Sequence, residues 1–167
     1  MNESKKESSA LTTFEAYKLI KMEKKLANAS VFKVPTNIGD TQNGNLDPVE
    51  KGQPSLFLRT RINGRECDDK FTSMIMHPYA NIRLIALDIG KTNRRHLDTV
   101  DGKKVFSQDA HLHIYTQEQG DREHHPLSDY KAFKGKMTHR ELFFAFLTFC
   151  NIINRADIDQ QGEFSNV

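Results

Sequence analysis

The stretch from Met137 to Ile153 limits what this chain can fold into more than any other. Thr138 and Glu141 form a T-x-x-E capping box, with Met137 and Leu142 placed as a hydrophobic staple around it. Leu142, Phe143, Phe146, Leu147, Phe149, Cys150 and Ile153 then recur at helical spacing as a wide apolar stripe. A helix this short draws its stability from burying that stripe, so the rest of the chain must supply a layer to receive it. Cys150 lies within the stripe and reads as an inert buried thiol. Thr148 and Asn151 interrupt the run, which is also too short to span a bilayer.

A second capping box, Thr12 and Glu15, starts a helix near the N-terminus. Ala16, Leu19, Ile20 and Leu26 keep helical spacing to about Asn28, with Lys18, Lys21, Lys24 and Lys25 on the opposite, solvated face. Residues 1–10 are polar and read as a disordered tail. Residues 35–54 hold three prolines and three glycines with no apolar period, which predicts one long flexible loop. Strands follow. Residues 55–63 place Leu56, Leu58 and Ile62 on one face and Phe57, Arg59 and Arg61 on the other, and Asn63-Gly64 predicts a hairpin turn back through Glu66 to about Met76. Ile82 to Ile89 is apolar on both faces apart from Arg83 and Asp88 and reads as a central strand. Asp101-Gly102 marks another turn. Ala110 to Thr116 is a further strand, with Leu112 and Ile114 toward the core and His111, His113 and Tyr115 on the other face. The expectation is a single α+β domain over 11–164: an N-terminal helix, a central antiparallel sheet of about four strands, and a C-terminal amphipathic helix packed on one face.

Charge says little about partners. Lys+Arg 24 against Asp+Glu 22 gives +2, too small a field to mark a nucleic-acid or membrane protein. Two cysteines make neither a disulfide framework nor, alone, a zinc site, and the opening MNESKKESSA has no apolar core of a secretory signal, so a cytoplasmic location is expected. P-loop, G-x-G-x-x-G, G-x-S-x-G, H-E-x-x-H and C-x-x-C motifs are all missing, which removes the common nucleotide-binding, serine-hydrolase and zincin readings.

Five of the seven histidines, His96, His111, His113, His124 and His125, fall within one short stretch. His111 and His113 share a strand face beside a basic loop of Lys91, Asn93, Arg94, Arg95 and His96. Three readings compete: a solvated polar face, a metal site, and a nuclease-like or RNA-binding face. For metal, H-x-H gives two imidazoles, with Asp88, Asp98 or His96 as a third donor. Asp88 shares its face with Leu84 and Ala86, which looks like core and works against an ionised ligand. No metal and no cofactor are therefore expected, and a chelator should leave the melting temperature unchanged. For RNA chemistry, His111 and His113, with His96, would act as general acid and base while Arg94 and Arg95, or Arg59, stabilise a phosphorane's charge. The basic segment 130–140, with Lys131, Lys134, Lys136 and Arg140, precedes a helix N-terminus and could hold a phosphate, although a solvated loop is the simpler reading.

RLIALDIG (83–90), DGKK (101–104), AHLHIYTQEQGD (110–121), HPL (125–127) and FLTFCNI (146–152) resemble an uncharacterised family, of unknown function, of small bacterial and phage proteins with an H-L-H-I-Y strand motif. The resemblance covers roughly 12–164 and implies an N-terminal helix, a central sheet and a C-terminal helix. The chain departs from it at KTNRRHLDTVDG (91–102), which lacks the proline of the family's H-x-N-P-D-G loop, so any role of that loop is in doubt here. By analogy the strand and loop pattern is also similar to toxin-like proteins that present His and Arg to RNA.

The leading expectation is a non-enzymatic accessory or regulatory binding protein of a bacterium or its phage or mobile element, acting in host–phage or defence conflict. Its binding residues would be Arg59, Arg61, Lys91, Asn93, Tyr115, Lys134 and Lys136, its partner a protein or, second, RNA, and not a membrane. The alternative is a metal-independent endoribonuclease-like toxin using His111, His113, His96, Arg94 and Arg95.

Overall fold

The computed structural model describes residues 11–65, 68–78, 81–89, 96–98, 104–106, 110–135 and 137–158, with backbone alone at 63–65, 68–70, 96–98 and 104–106. Seven strands form one antiparallel sheet: β1 (Lys24–Leu26), β2 (Thr41–Pro48), β3 (Leu56–Arg65), β4 (Asp68–His77), β5 (Ile82–Ile89), β8 (His111–Ile114) and β9 (His124–Pro126), side by side in that order. A separate hairpin, β6 (His96–Asp98) with β7 (Lys104–Phe106), leaves the sheet between β5 and β8, and β7 lies near β9. Helices α1 (Thr13–Lys21) and α2 (His139–Phe149) complete the α+β architecture.

Both helices begin where the capping boxes put them. Thr12 and Thr138 accept from the amides of Glu15 and Glu141, whose carboxylates accept from the cap amides in return. Ala16, Leu19 and Ile20 of α1 and Leu142, Phe143, Phe146 and Leu147 of α2 enter one cluster with Leu58, Ile75, Ile85, Leu87 and Leu112 of the sheet. Both helices thus cover the same sheet face, as the amphipathic patterns require.

Four expectations need correcting. The sheet has seven strands, where about four were expected. The three additional strands, β1, β2 and β9, all lie at its two edges. Residues 35–54 are not one loop: Thr41–Pro48 is β2, paired along β3 from Thr41↔Arg61 to Leu46↔Leu56. Its only large apolar side chain is Leu46, so no alternation betrays it. What admits it is Gly44, because a Cβ there would lie 2.6 Å from Leu26 Cδ1 and 3.1 Å from Phe32 Cδ2. Second, α1 stops at Lys21, and Leu26 owes its burial to β1, not to a longer helix. Third, Asn63-Gly64 is not a turn. Both residues sit in β3 opposite Lys70 and Asp69, and the pairing Arg65↔Asp68 moves the connection to 66–67, outside the described residues. The Asp101-Gly102 turn also lies outside them, although β6 and β7 flank it in antiparallel register.

Finally, the lysine face of α1 is not uniformly solvated. Lys24 is wholly buried, and its Nζ donates to the carbonyls of Leu19, Ile20, Met22 and Cys150. It closes the C-terminal ends of both helices with one side chain, where orphan carbonyls and the negative end of the dipole gather. Burial pulls its pKa down from 10.5 to about 8. Lys21 donates to the Phe149 carbonyl at 2.7 Å and lies 3.2 Å from the centroid of the Phe149 ring. Cys150 is wholly buried, which pushes its thiol up to about 12 and fits the inert reading.

Candidate functional site

The sheet face away from the helices carries the chemistry. On β3, β4, β5 and β8 the residues pointing there are Phe57, Arg59 and Arg61; Thr72, Met74 and Met76; Ala86 and Asp88; and His111 and His113. The core-facing residues between them account for the alternation. The pairing Asp88↔His111 brings the carboxylate directly beside the first imidazole, and Ala86↔His113 sets the second two residue pairs along, on the same face. On β9, His113↔His124 adds a third ring. Three neighbouring strands therefore deliver one carboxylate and three imidazoles to one place.

This face is not solvated at that point. Asp88 is 4% exposed, His111 2% and His113 9%. Their polar atoms converge. His113 Nε2 lies 3.0 Å from Asp88 Oδ2 and 3.2 Å from His111 Nε2, and His111 Nε2 lies 3.7 Å from the same carboxylate oxygen. The His124 ring centroid is 4.3 Å from that of His113 and 5.6 Å from that of His111, and one ligand atom from each of the three histidines falls within 4.8 Å of the others.

The surrounding residues fix these groups. Thr72 Oγ1 donates to Asp88 Oδ1 at 2.7 Å and leaves Oδ2 turned toward the imidazoles. His113 Nδ1 donates to the backbone carbonyl of Asp121 at 3.1 Å, since a carbonyl only accepts. The carboxylate of Asp121 pairs in turn with Arg83 Nε at 2.8 Å. Arg83 on β5 therefore holds the β8–β9 connection at the point that sets the tautomer of His113. His125, adjacent in sequence to His124, points elsewhere: its Nδ1 meets Tyr130 Oη at 3.0 Å and its Nε2 lies 3.6 Å from Glu123 Oε2.

Sequence reasoning placed His111 and His113 together and weighed Asp88, and the structure joins all three. It missed His124 as their companion, along with Thr72, Asp121 and Arg83. Alternation along 124–126 is the one signal that separates His124 from His125. Tyr115 does not share the face of the two histidines. It follows the end of β8, donates to the Leu11 carbonyl at 2.9 Å and packs on the helix-covered core, so it anchors the start of α1. Lys91, Asn93, Arg94, Arg95 and Lys136 lie outside the described residues, as does the side chain of His96. Lys134 is exposed beside a short 3₁₀ turn, Lys131–Phe133.

Arg59 and Arg61 form a second cluster on the same sheet face, two strands away. The Arg59 guanidinium lies 5.4 Å from the centroid of the Phe57 ring, and its Nε donates to Asn43 Oδ1 at 3.0 Å across the β2–β3 pair. Arg61 Nε is shielded from solvent and has no hydrogen-bond partner among the described residues, and neither arginine pairs with a carboxylate there.

Fold and site together define an antiparallel-sheet α+β protein with a buried histidine–carboxylate centre at one end of the sheet. The chain belongs to a family of unknown function (DUF6978), whose model matches residues 11–152. No curated protein and no solved structure matches it. Among the described residues, no helix is long and apolar enough to cross a membrane.

Proposed function

We propose that this protein is an accessory or regulatory binding protein that recognises an acidic surface on a protein partner through the Phe57–Arg59–Arg61 face of β3. The observation that carries this reading is the pair of arginines, half-buried and without carboxylate partners among the described residues, one already held by Asn43 and Phe57. A guanidinium fixed before binding loses little entropy on meeting a carboxylate, and its planar fork suits a bidentate pair. Near-neutral net charge favours a protein partner over RNA, whose backbone calls for a broad positive field. Placement in the cytoplasm of a bacterium, or on its phage or mobile elements in a conflict role, belongs to the same proposal and rests on the resemblance of the HLHIY segment.

Burial of His111 and His113 speaks against the ribonuclease-like alternative, in which both imidazoles must meet a phosphodiester. The test is affinity capture from a native host with the wild-type chain and with an Arg59→Ala/Arg61→Ala variant that keeps its circular dichroism and melting temperature. The variant should lose the captured protein. Equal capture by both chains overturns the reading, as does RNA cleavage by the wild type that His111→Ala abolishes.

A further inference from the structure

Polar atoms of three residues converge at the buried centre. His113 spends its Nδ1 proton on the Asp121 carbonyl, so in the neutral ring Nε2 carries only a lone pair. Asp88 Oδ2 lies 3.0 Å from that atom. His111 Nε2 stands 3.2 Å from His113 Nε2 and 3.7 Å from Asp88 Oδ2. Three donor atoms so placed can meet at one ion.

The spacing also fits an ion. Donors about 2.0–2.1 Å from a tetrahedral ion stand about 3.3 Å from each other. The three observed separations, 3.0, 3.2 and 3.7 Å, straddle that edge length. His124, whose ring lies against His113 from the neighbouring strand, offers a nitrogen within 4.8 Å of one from each of His111 and His113. The outer contacts are those a metal site needs. The Asp121 carbonyl fixes the tautomer of His113, Thr72 orients the carboxylate, and Arg83 holds Asp121.

We infer that Asp88, His111, His113 and His124 form a binding site for one divalent transition-metal ion of the zinc class. Three imidazoles and one carboxylate suit zinc and its borderline neighbours and are poor for calcium or magnesium, which prefer all-oxygen shells. With four protein donors the site is closed, as structural sites are, and ties β5, β8 and β9 together. It replaces the expectation of a metal-free protein. That expectation held Asp88 to an apolar core face and sought a third donor in the 91–98 loop, whereas Asp88 stands opposite His111 and the third histidine comes from β9. The inference is independent of the Arg59–Arg61 face.

The full chain, stripped by chelator, is titrated with Zn²⁺ and separately with Co²⁺, while metal content, melting temperature and the visible absorption of tetrahedral Co²⁺ are followed. The expected result is one ion per chain, a rise of several degrees in melting temperature that EDTA reverses, and an affinity at least tenfold weaker in His124→Ala and in Asp88→Asn. His139→Ala, on α2, should bind like the wild type. If the site variants fail to fold, the wild-type chain decides by stoichiometry and thermal shift alone. No uptake by the folded wild-type chain, or uptake that His124→Ala and Asp88→Asn leave unchanged, overturns the assignment.

Discussion

Replacing Lys24 with Met keeps the length and the apolar stem of the side chain and removes its charge and donors. In the native protein Nζ donates to the Leu19, Ile20, Met22 and Cys150 carbonyls, so Lys24→Met orphans up to four acceptors at the meeting point of the two helix ends. Each buried, unsatisfied acceptor costs about 1–3 kcal/mol. Against this, methionine avoids burying an ammonium, a cost that the fall in pKa from 10.5 to about 8 sets at about 3 kcal/mol. The acceptors win, with a net loss of about 3 kcal/mol and a melting temperature lower by about 10 °C at pH 7. The pH dependence supplies a second reading. Between about 8 and 10.5 the unfolded chain holds a proton that folded Lys24 has released, so wild-type stability rises with pH relative to the variant. The Cys150 thiol acts in the opposite direction from 9 upward, because the unfolded chain ionises first. Lys24 holds the thiol lower than burial alone would, so its removal only raises the thiol further; up to pH 9 the folded thiol is protonated in both chains and the difference between them isolates Lys24. Urea unfolding at pH 7, 8 and 9 measures it, and the wild type should gain about 1 kcal/mol over Lys24→Met from pH 8 to pH 9. A variant as stable as the wild type at pH 7, with a flat difference against pH, refutes the reasoning.

Gly44→Val places a branched side chain where even a Cβ would lie 2.6 Å from Leu26 Cδ1; thermal unfolding should show a loss of about 1–3 kcal/mol, and an unchanged midpoint would mean that β2 does not pack as described. Cys150 should resist a thiol reagent at pH 8 in the folded protein and react in urea, as mass spectrometry of the labelled chain will show. Arg83→Met removes the ion pair that holds Asp121 and should weaken zinc binding about tenfold while leaving the sheet intact, measured by competition with a chelating dye. Thr138→Ala should cost about 1 kcal/mol through its capping box, and a urea midpoint equal to wild type would contradict that.

Strong local chemistry was readable along the chain, and long-range pairing was not. Thr12, Glu15, Thr138 and Glu141 announce their helix starts because a capping box is complete within four residues. Alternation in Leu56–Ile62 and along β8 gives the correct faces for Arg59, Arg61, His111 and His113, since side-chain period alone decides them. β2 stayed hidden because its place depends on β1 and β3 and on room at Gly44, none of which is local. Asn63-Gly64 misled for a related reason: nine paired positions from Phe57↔Met76 to Arg65↔Asp68 outweigh one favourable turn dipeptide. At the site, the H-x-H spacing announced two donors. Asp88, His124 and the Asp121 carbonyl joined them only through the register of β5, β8 and β9, and registers are tertiary facts. Lys24 shows the reverse error, a charged residue read as solvated because its four acceptors come from two helix ends far apart in sequence.

Asp88, His111 and His113 turn polar atoms toward one another, with His124 against His113 on the neighbouring strand. Long-range proton–nitrogen NMR of the imidazole rings tests this arrangement directly, on the metal-stripped chain and again after one equivalent of zinc. With zinc bound, His113 should carry its proton on Nδ1 and none on Nε2, and the coordinating nitrogens of His111, His113 and His124 should move together while those of His125 and His139 stay in place. An imidazolium at His113, protonated on both nitrogens and indifferent to zinc, would rule the metal site out.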